Sequence, residues 1–221
     1  LTQLAERLLA YSHYRADILN NYVEPRLMNA ERAEALFNDT YARLQPNCPI
    51  PLNKQRGEKK KPAFLTGLVN MLIEAHTDKS PCDYDPRTLT KITRNGAPLR
   101  TMARRMDGCF PSCTNPIAIW EIKEYYYTTT FGSRIADGVY ETLLDGFELA
   151  ELRDEEGINV EHLLIIDAYD TWWNMGKSYL CRLIDMLHMG YVDEILFGYE
   201  VTERLAEIAV RWVRALNERG S

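Results

Sequence analysis

Two side chains able to do chemistry stand where an apolar strand should run. Residues 117–125 read IAIWEIKEY, and Glu121, Lys123 and Glu124 interrupt the apolar run. A strand covered on both faces is normally a near-continuous apolar stretch. Residues two apart on a strand share a face, so Glu121 and Lys123 project side by side about 7 Å apart while Trp120 and Ile122 point the other way, into the core. Glu124 falls on the opposite side from Lys123, where a surface or supporting role is expected. A second carboxylate, Asp107, ends the run LRTMARRMD immediately before Gly108. If strands over 99–107 and 116–124 are antiparallel neighbours, Asp107 comes beside Glu121. Two carboxylates at a strand end suit Mg²⁺, which takes one or two protein carboxylates and leaves its other positions to water and phosphate oxygens. The chemistry would be metal-assisted attack of water on a phosphodiester, with Lys123 placing the water or helping to deprotonate it. A lysine beside a cation and partly desolvated has a lowered pKa, which is what the second role requires.

The elements that must position these groups are legible in outline. Leu4, Leu8, Leu9, Tyr11, Ile18 and Leu19 fall at roughly helical spacing over residues 2–22, and Asn29 caps a second amphipathic pattern over residues 30–44. Residues 45–62, QPNCPIPLNKQRGEKKKP, hold four prolines and dense positive charge and predict a loop or arm. Leu65, Leu68, Val69, Leu72 and Ile73 predict a helix over 63–76. Asp85-Pro86 through Asn95-Gly96 favours a short helix, with a strand turning at Asn95-Gly96 as the competing reading. After the two strands come helix, strand, helix, strand, helix, beginning at SRIADG, EHLLII, NMGKSY, EILFGY and TERLAE. Strands alternating with helices imply an α/β fold with a mixed central sheet flanked by helices.

Net charge is -6 across 221 residues, which alone argues against a nucleic-acid partner. The charge is segregated, however. Residues 54–106 hold 12 Lys and Arg against 5 acids, a balance of +7, while the other 168 residues hold 14 against 27, or -13. Such a block is the footprint expected of a polyanion-binding face. No stretch approaches the ~20 apolar residues of a membrane span, and no secretory leader opens the chain, so a cytoplasmic protein with no membrane partner is expected. The chain opens at Leu1 without Met, which suggests that a few native residues precede it. Five cysteines at irregular spacing fit reduced thiols, and Cys109, Cys113, Cys82 and His76 make a weak zinc pattern.

Asp107, thirteen intervening residues and then Glu121-Ile122-Lys123 at the end of an apolar strand resemble the PD-(D/E)xK nuclease superfamily, in particular the type II restriction endonucleases. The resemblance spans about residues 63–167, although Met106 stands where the family motif has proline. It implies a restriction-endonuclease-like core with an N-terminal helical addition. The expected organisation is one nuclease domain over 1–221, with helices over 1–45, a basic arm over 46–62 and a catalytic α/β core over 63–221. It also implies that Asp107 and Glu121 bind Mg²⁺ and that Lys123 assists the attacking water. Glu74, on the helix before the strands, occupies the place of a further family glutamate. The implied activity is sequence-specific hydrolysis of double-stranded DNA by a homodimer, with a cognate DNA methyltransferase as functional partner. The alternatives are a structure-specific or repair nuclease of the same superfamily and a non-catalytic DNA-binding protein of this fold.

Lys54, Arg56, Lys59, Lys60, Lys61, Arg94, Arg100, Arg104 and Arg105 would contact DNA, as would Ser133 and Arg134 at the start of a helix whose amides suit a phosphate. Asp167 and Asp170 form the one rival acidic pair and lack a lysine on their strand. The four histidines are scattered, and neither GxxxxGK[ST] nor GxGxxG occurs, which disfavours histidine-metal, NTPase and dinucleotide chemistry.

Overall fold

The computed structural model describes residues 2–54, 60–129 and 131–220, without the side chain of Arg134. Helix α1 (Gln3–Ile18) starts at Thr2, whose hydroxyl accepts from the Ala5 amide, and runs through a π-helical turn (Leu19–Val23) into the short α2 (Glu24–Arg26). Asn29 caps α3 (Ala30–Leu44) by accepting from the Arg32 amide, and Gln45 ends it in the left-handed region. Helix α4 (Phe64–His76) is buried along most of its length. Strand β1 (Asp83–Tyr84) is followed by β2 (Lys91–Arg94) and β3 (Ala97–Thr101), an antiparallel hairpin turning at Asn95-Gly96. The expected short helix over 86–95 is therefore absent. Asn95 and Gly96 both have positive φ, as a tight hairpin turn requires, and this local geometry prevails over the Asp-Pro helix start.

Strand β4 (Gly108–Phe110) and β5 (Ala118–Glu124) are antiparallel neighbours. The strand expected over 99–107 thus divides: β3 pairs with β2, and Asp107 leads into β4 instead of ending the strand before it. Helix α5 (Ser133–Glu156) crosses to β6 (Glu161–Asp167), and a π-helical segment (Asp170–Met175) leads into α6 (Lys177–His188). Strand β7 (Glu194–Phe197), a 3-10 turn and α7 (Val201–Gly220) complete the chain. The main sheet has the order β1-β4-β5-β6-β7, antiparallel as far as β5 and parallel from β5 to β7. This is the expected α/β architecture with a mixed central sheet flanked by helices. No described helix is long and apolar enough to cross a membrane.

The strands show why the layers form. On β6, Leu163 and Ile165 pack with α3, α4 and α7, while Leu164 and Ile166 pack with α5 and α6. A two-residue period buried on both faces is the pattern of a central strand. On β5, Ala118 and Trp120 face α4 and α7, with Trp120 stacked on Trp212 at 5.6 Å and 10° between ring planes. Ile119 faces the other way, against Leu149 and Leu152 of α5.

Gly108 is dictated by this packing. A Cβ there would lie 2.0 Å from Trp120 Cε2 and Cζ2, on a ring that is fully buried and held by Trp212. Overpacking of this kind costs about 1–3 kcal/mol or more, so Gly108→Ala should lower the melting temperature by roughly 3–10 °C in a calorimetric scan.

Candidate active site

Asp107, Glu121 and Lys123 do come together. The residue pairing β4 to β5 sets Gly108 against Trp120, and the Asp107 amide donates to the Trp120 carbonyl at 3.1 Å. Asp107 Oδ2 then accepts from the Ile122 amide, between the other two residues, at 2.8 Å. Lys123 Nζ donates to Glu121 Oε2 at 2.8 Å. All three line a cavity of about 1250 Å³, walled by residues 49–54, by α4 through Thr66 and Asn70, and by the first turns of α5. The wall over 49–54 is tied down: Leu52 pairs with Pro62, the Ala63 amide donates to the Pro51 carbonyl at 2.8 Å, and Asn70 Nδ2 donates to the Pro49 carbonyl at 2.8 Å.

The face that Glu121 and Lys123 share is not open, because α5 covers it. Glu121 has no exposed surface and Lys123 is 8% exposed. Two buried groups of opposite charge survive there through partners the sequence did not suggest. Arg104, in the segment between β3 and β4, donates through Nη2 to Glu121 Oε2 at 2.9 Å and to Glu141 Oε2 at 3.4 Å, and through Nη1 to Asp145 Oδ2 at 2.7 Å. Asp145, on α5, is itself 1% exposed. Burial pushes Asp145 up to about 7 against the pull of Arg104. Burial would raise Glu121 as well, but Lys123 and Arg104 outweigh it and hold the carboxylate below its usual range. Burial would lower Lys123, yet Glu121 and Asp107 outweigh it and the pKa is raised above 10.5, so the side chain here is a firm ammonium. Asp107 is raised to about 6, first by burial and then by Glu121.

Glu74 is not part of this group. It lies one turn of α4 beyond Asn70, outside the cavity wall, and accepts from the Asn47 amide at 2.9 Å. Glu124 takes a role unlike a surface residue: its Oε2 accepts from the amide and hydroxyl of Thr66 at 2.8 and 3.0 Å, capping the start of α4 with a carboxylate from β5. Anions at a helix N-terminus are stabilised by the unsatisfied amides there, and burial nevertheless raises Glu124 to about 7.

The basic segment meets an acidic one of the same chain, mostly at the surface. Arg94 pairs with Glu156 at 2.9 Å, Arg100 with Glu151 at 2.6 Å and with Glu155 at 3.2 Å, and the Ala103 amide donates to Glu148 at 3.1 Å. Glu141, Asp145, Glu148, Glu151 and Glu155 recur every three or four residues along α5, so they share one face of the helix, with Glu156 beside its end. Arg94, Arg100 and Arg104 are therefore directed at α5. Lys54, Lys60 and Arg105 are exposed, as is Ser133 at the first turn of α5, and Lys61 is half-buried, 3.8 Å from Glu34. Lys54 and Arg87 line the cavity. Arg56, Lys59 and the Arg134 side chain lie outside the described residues.

The rival pair Asp167 and Asp170 separates. Asp167 is fully buried and accepts from the Met28 amide at 2.7 Å, the Ala168 amide at 2.8 Å and the Tyr126 hydroxyl at 2.6 Å. Asp170 bonds instead to the Asn174 side chain at 2.8 Å. Asp167 is thus a structural anchor that ties the start of the α3 segment to the end of β6. Cys109 and Cys113 are buried and reduced, burial raising both thiols.

With this arrangement described, comparison with known proteins places the sequence. The family described as Domain of unknown function (DUF7687) matches residues 28–212, from the anchor at Met28 to the stacked Trp212. The chain belongs to this family. The match takes in Arg104, Asp107, Glu121, Lys123 and Asp145 and begins after α1. No curated protein and no solved structure matches the chain.

The Asp167 carboxyl of this DUF7687 chain is raised from 3.8 to about 7, first by burial, which its three hydrogen bonds offset only in part. The folded state therefore holds this proton more tightly than the unfolded chain does. Its contribution to stability is complete below about pH 4 and is lost as the pH rises through about 7. Asp167→Asn should flatten part of the fall in melting temperature between about pH 4 and 7, an effect of up to about 4 kcal/mol over that span. Melts of both proteins across that range check it, and equal slopes would assign the fall to other carboxyls.

Proposed function

We propose that this chain is a Mg²⁺-dependent endonuclease of the PD-(D/E)xK kind, cutting double-stranded DNA at a specific sequence as type II restriction enzymes do. One observation carries the reading. Asp107 is bonded to the Ile122 amide, between Glu121 and Lys123, so both carboxylates and the ammonium occupy one strand end beside a cavity. The order α4, β1, β4, β5, α5, β6, with antiparallel strands up to β5 and a parallel step after it, supports a restriction-endonuclease-like core around the motif.

The donor set fits a hard cation. Glu121 Oε1 is buried and has no hydrogen-bond partner among the described residues, while Oε2 is held by Lys123 and Arg104. Asp107 spends Oδ2 on the Ile122 amide and keeps Oδ1. No three His, Cys, Asp or Glu side chains among the described residues are grouped to hold a metal. Asp107 and Glu121 alone would therefore hold Mg²⁺, which commonly retains water and phosphate oxygens for the rest of its shell. When bound, the ion lowers the pKa of a water and offsets charge on the phosphate.

The chain's own groups would do the remainder. Lys123, a firm ammonium, donates to a phosphate oxygen or to the attacking water and so orients the nucleophile and stabilises developing negative charge. Proton removal would fall to a second water or to the phosphate. Lys54 and Arg87 at the cavity, with exposed Lys60 and Arg105, offer sites for backbone phosphates. A palindromic site implies a homodimer, and host protection implies a cognate DNA methyltransferase.

Incubating the full chain with supercoiled plasmid and Mg²⁺ should give discrete fragments. Lys123→Ala should slow cleavage by roughly 10²–10⁴-fold, the range for a positioned catalytic group, with the melting temperature checked alongside. Cleavage of branched substrates alone would move the reading to a structure-specific or repair nuclease. DNA binding with no cleavage by the wild type overturns the enzymatic reading.

A further inference from the structure

We propose that Arg104, clamped by Asp145, is the positioning residue for Glu121 and stands in for a second cation, so that the site accepts a single divalent ion. The inference rests on the metal reading above and adds to it the number of ions and the residues that set that number.

A carboxylate commonly bridges two metal ions by giving one oxygen to each. Glu121 Oε2 receives two cationic donors, Lys123 Nζ at 2.8 Å and Arg104 Nη2 at 2.9 Å. Oε1 is buried and receives none from the described residues. The geometry thus reserves one oxygen for a ligand and withholds the other.

Arg104 is itself fixed. Its planar guanidinium reaches Asp145 with one amino group and Glu121 and Glu141 with the other, the kind of divergent, rigid recognition that lysine cannot reproduce. The Glu121 and Asp145 side chains are each 1% exposed. Two carboxylates so deeply buried near one another need a cation between them, and the chain supplies it covalently. The β2–β3 hairpin that precedes Arg104 is fastened to α5 by Arg94 and Arg100, which keeps the guanidinium in register. A second metal ion near Glu121 and Asp145 would have to expel Arg104 and compete with this whole line of pairs.

Mn²⁺ titrated into the full chain without nucleic acid, with free ion followed by electron paramagnetic resonance, separates the possibilities. The wild type should bind one Mn²⁺ per chain. Arg104→Lys, which keeps the charge, should still bind one. Arg104→Met, which removes the charge and keeps much of the volume, should bind two, because Asp145 and Glu141 then lose the guanidinium between them and Glu121 Oε2 keeps only Lys123. Asp145→Asn should bind one ion on the order of tenfold more weakly, the scale on which groups behind a metal ligand act. Were Arg104→Met not to fold, the Asp145→Asn affinity decides, and an unchanged value overturns the proposal. Two ions on the wild type, or one ion at wild-type affinity on Arg104→Met, overturns it while leaving the nuclease reading intact. No ion on the wild type overturns this proposal and the metal reading together.

Discussion

Glu121 has no exposed surface, and a carboxylate taken out of water must be matched by cations and hydrogen bonds or lose its charge. Its position follows from the two-residue period of β5. Trp120 is committed to the stack with Trp212 on one face of the sheet, so Glu121 must point to the other face. That other face is covered by α5, because the parallel step from β5 to β6 needs a crossover helix there. Lys123 and Arg104 therefore have to meet Glu121 inside the protein, and the arrangement of the hairpin, of α5 and of Asp145 accommodates that meeting.

The same strand end gathers the other unusual charges. Asp107 is fixed to the Ile122 amide and Glu124 to the first turn of α4, so the start of β4, the end of β5 and the start of α4 share one junction beside the cavity. A site built on strands and helix ends is held more rigidly than one on loops, which is what metal and phosphate geometry require. Asp107, Glu124, Asp145 and Asp167 all have carboxyls raised mainly by burial. The fold therefore carries a cost in charged groups as the pH rises, and that cost is concentrated around the candidate site and its anchor.

Charge segregation along the chain has an internal meaning as well as an external one. The basic residues of the β2–β3 hairpin lie along an acidic ridge on α5, in pairs worth a few tenths to about 1 kcal/mol each where exposed. Only the residues left outside that zipper, among them Lys54, Lys60, Arg87 and Arg105, remain for a polyanion. A net balance of +7 over residues 54–106 is therefore an upper bound on the positive face this segment presents.

Local patterns in the sequence were enough for the α/β class, for most helices and for the pairing of Asp107 with Glu121 and Lys123, because strand periodicity and helix capping act between near neighbours. Asn29, the apolar stripe of α4 and the alternation in β6 are legible in this way. The division of residues 99–107 between a hairpin and the approach to β4 was not legible, since turn geometry at Asn95-Gly96 and the close fit of Gly108 on Trp120 decide it. Glu74 could be placed on its helix but not aimed, because its partner at Asn47 comes from a loop. Arg104 read as one more residue of a basic block. Only tertiary packing, by laying α5 over the face of β5 that bears Glu121, turned it into the counter-ion of a buried carboxylate, because a desolvated charge takes its partner from whatever the fold brings within reach.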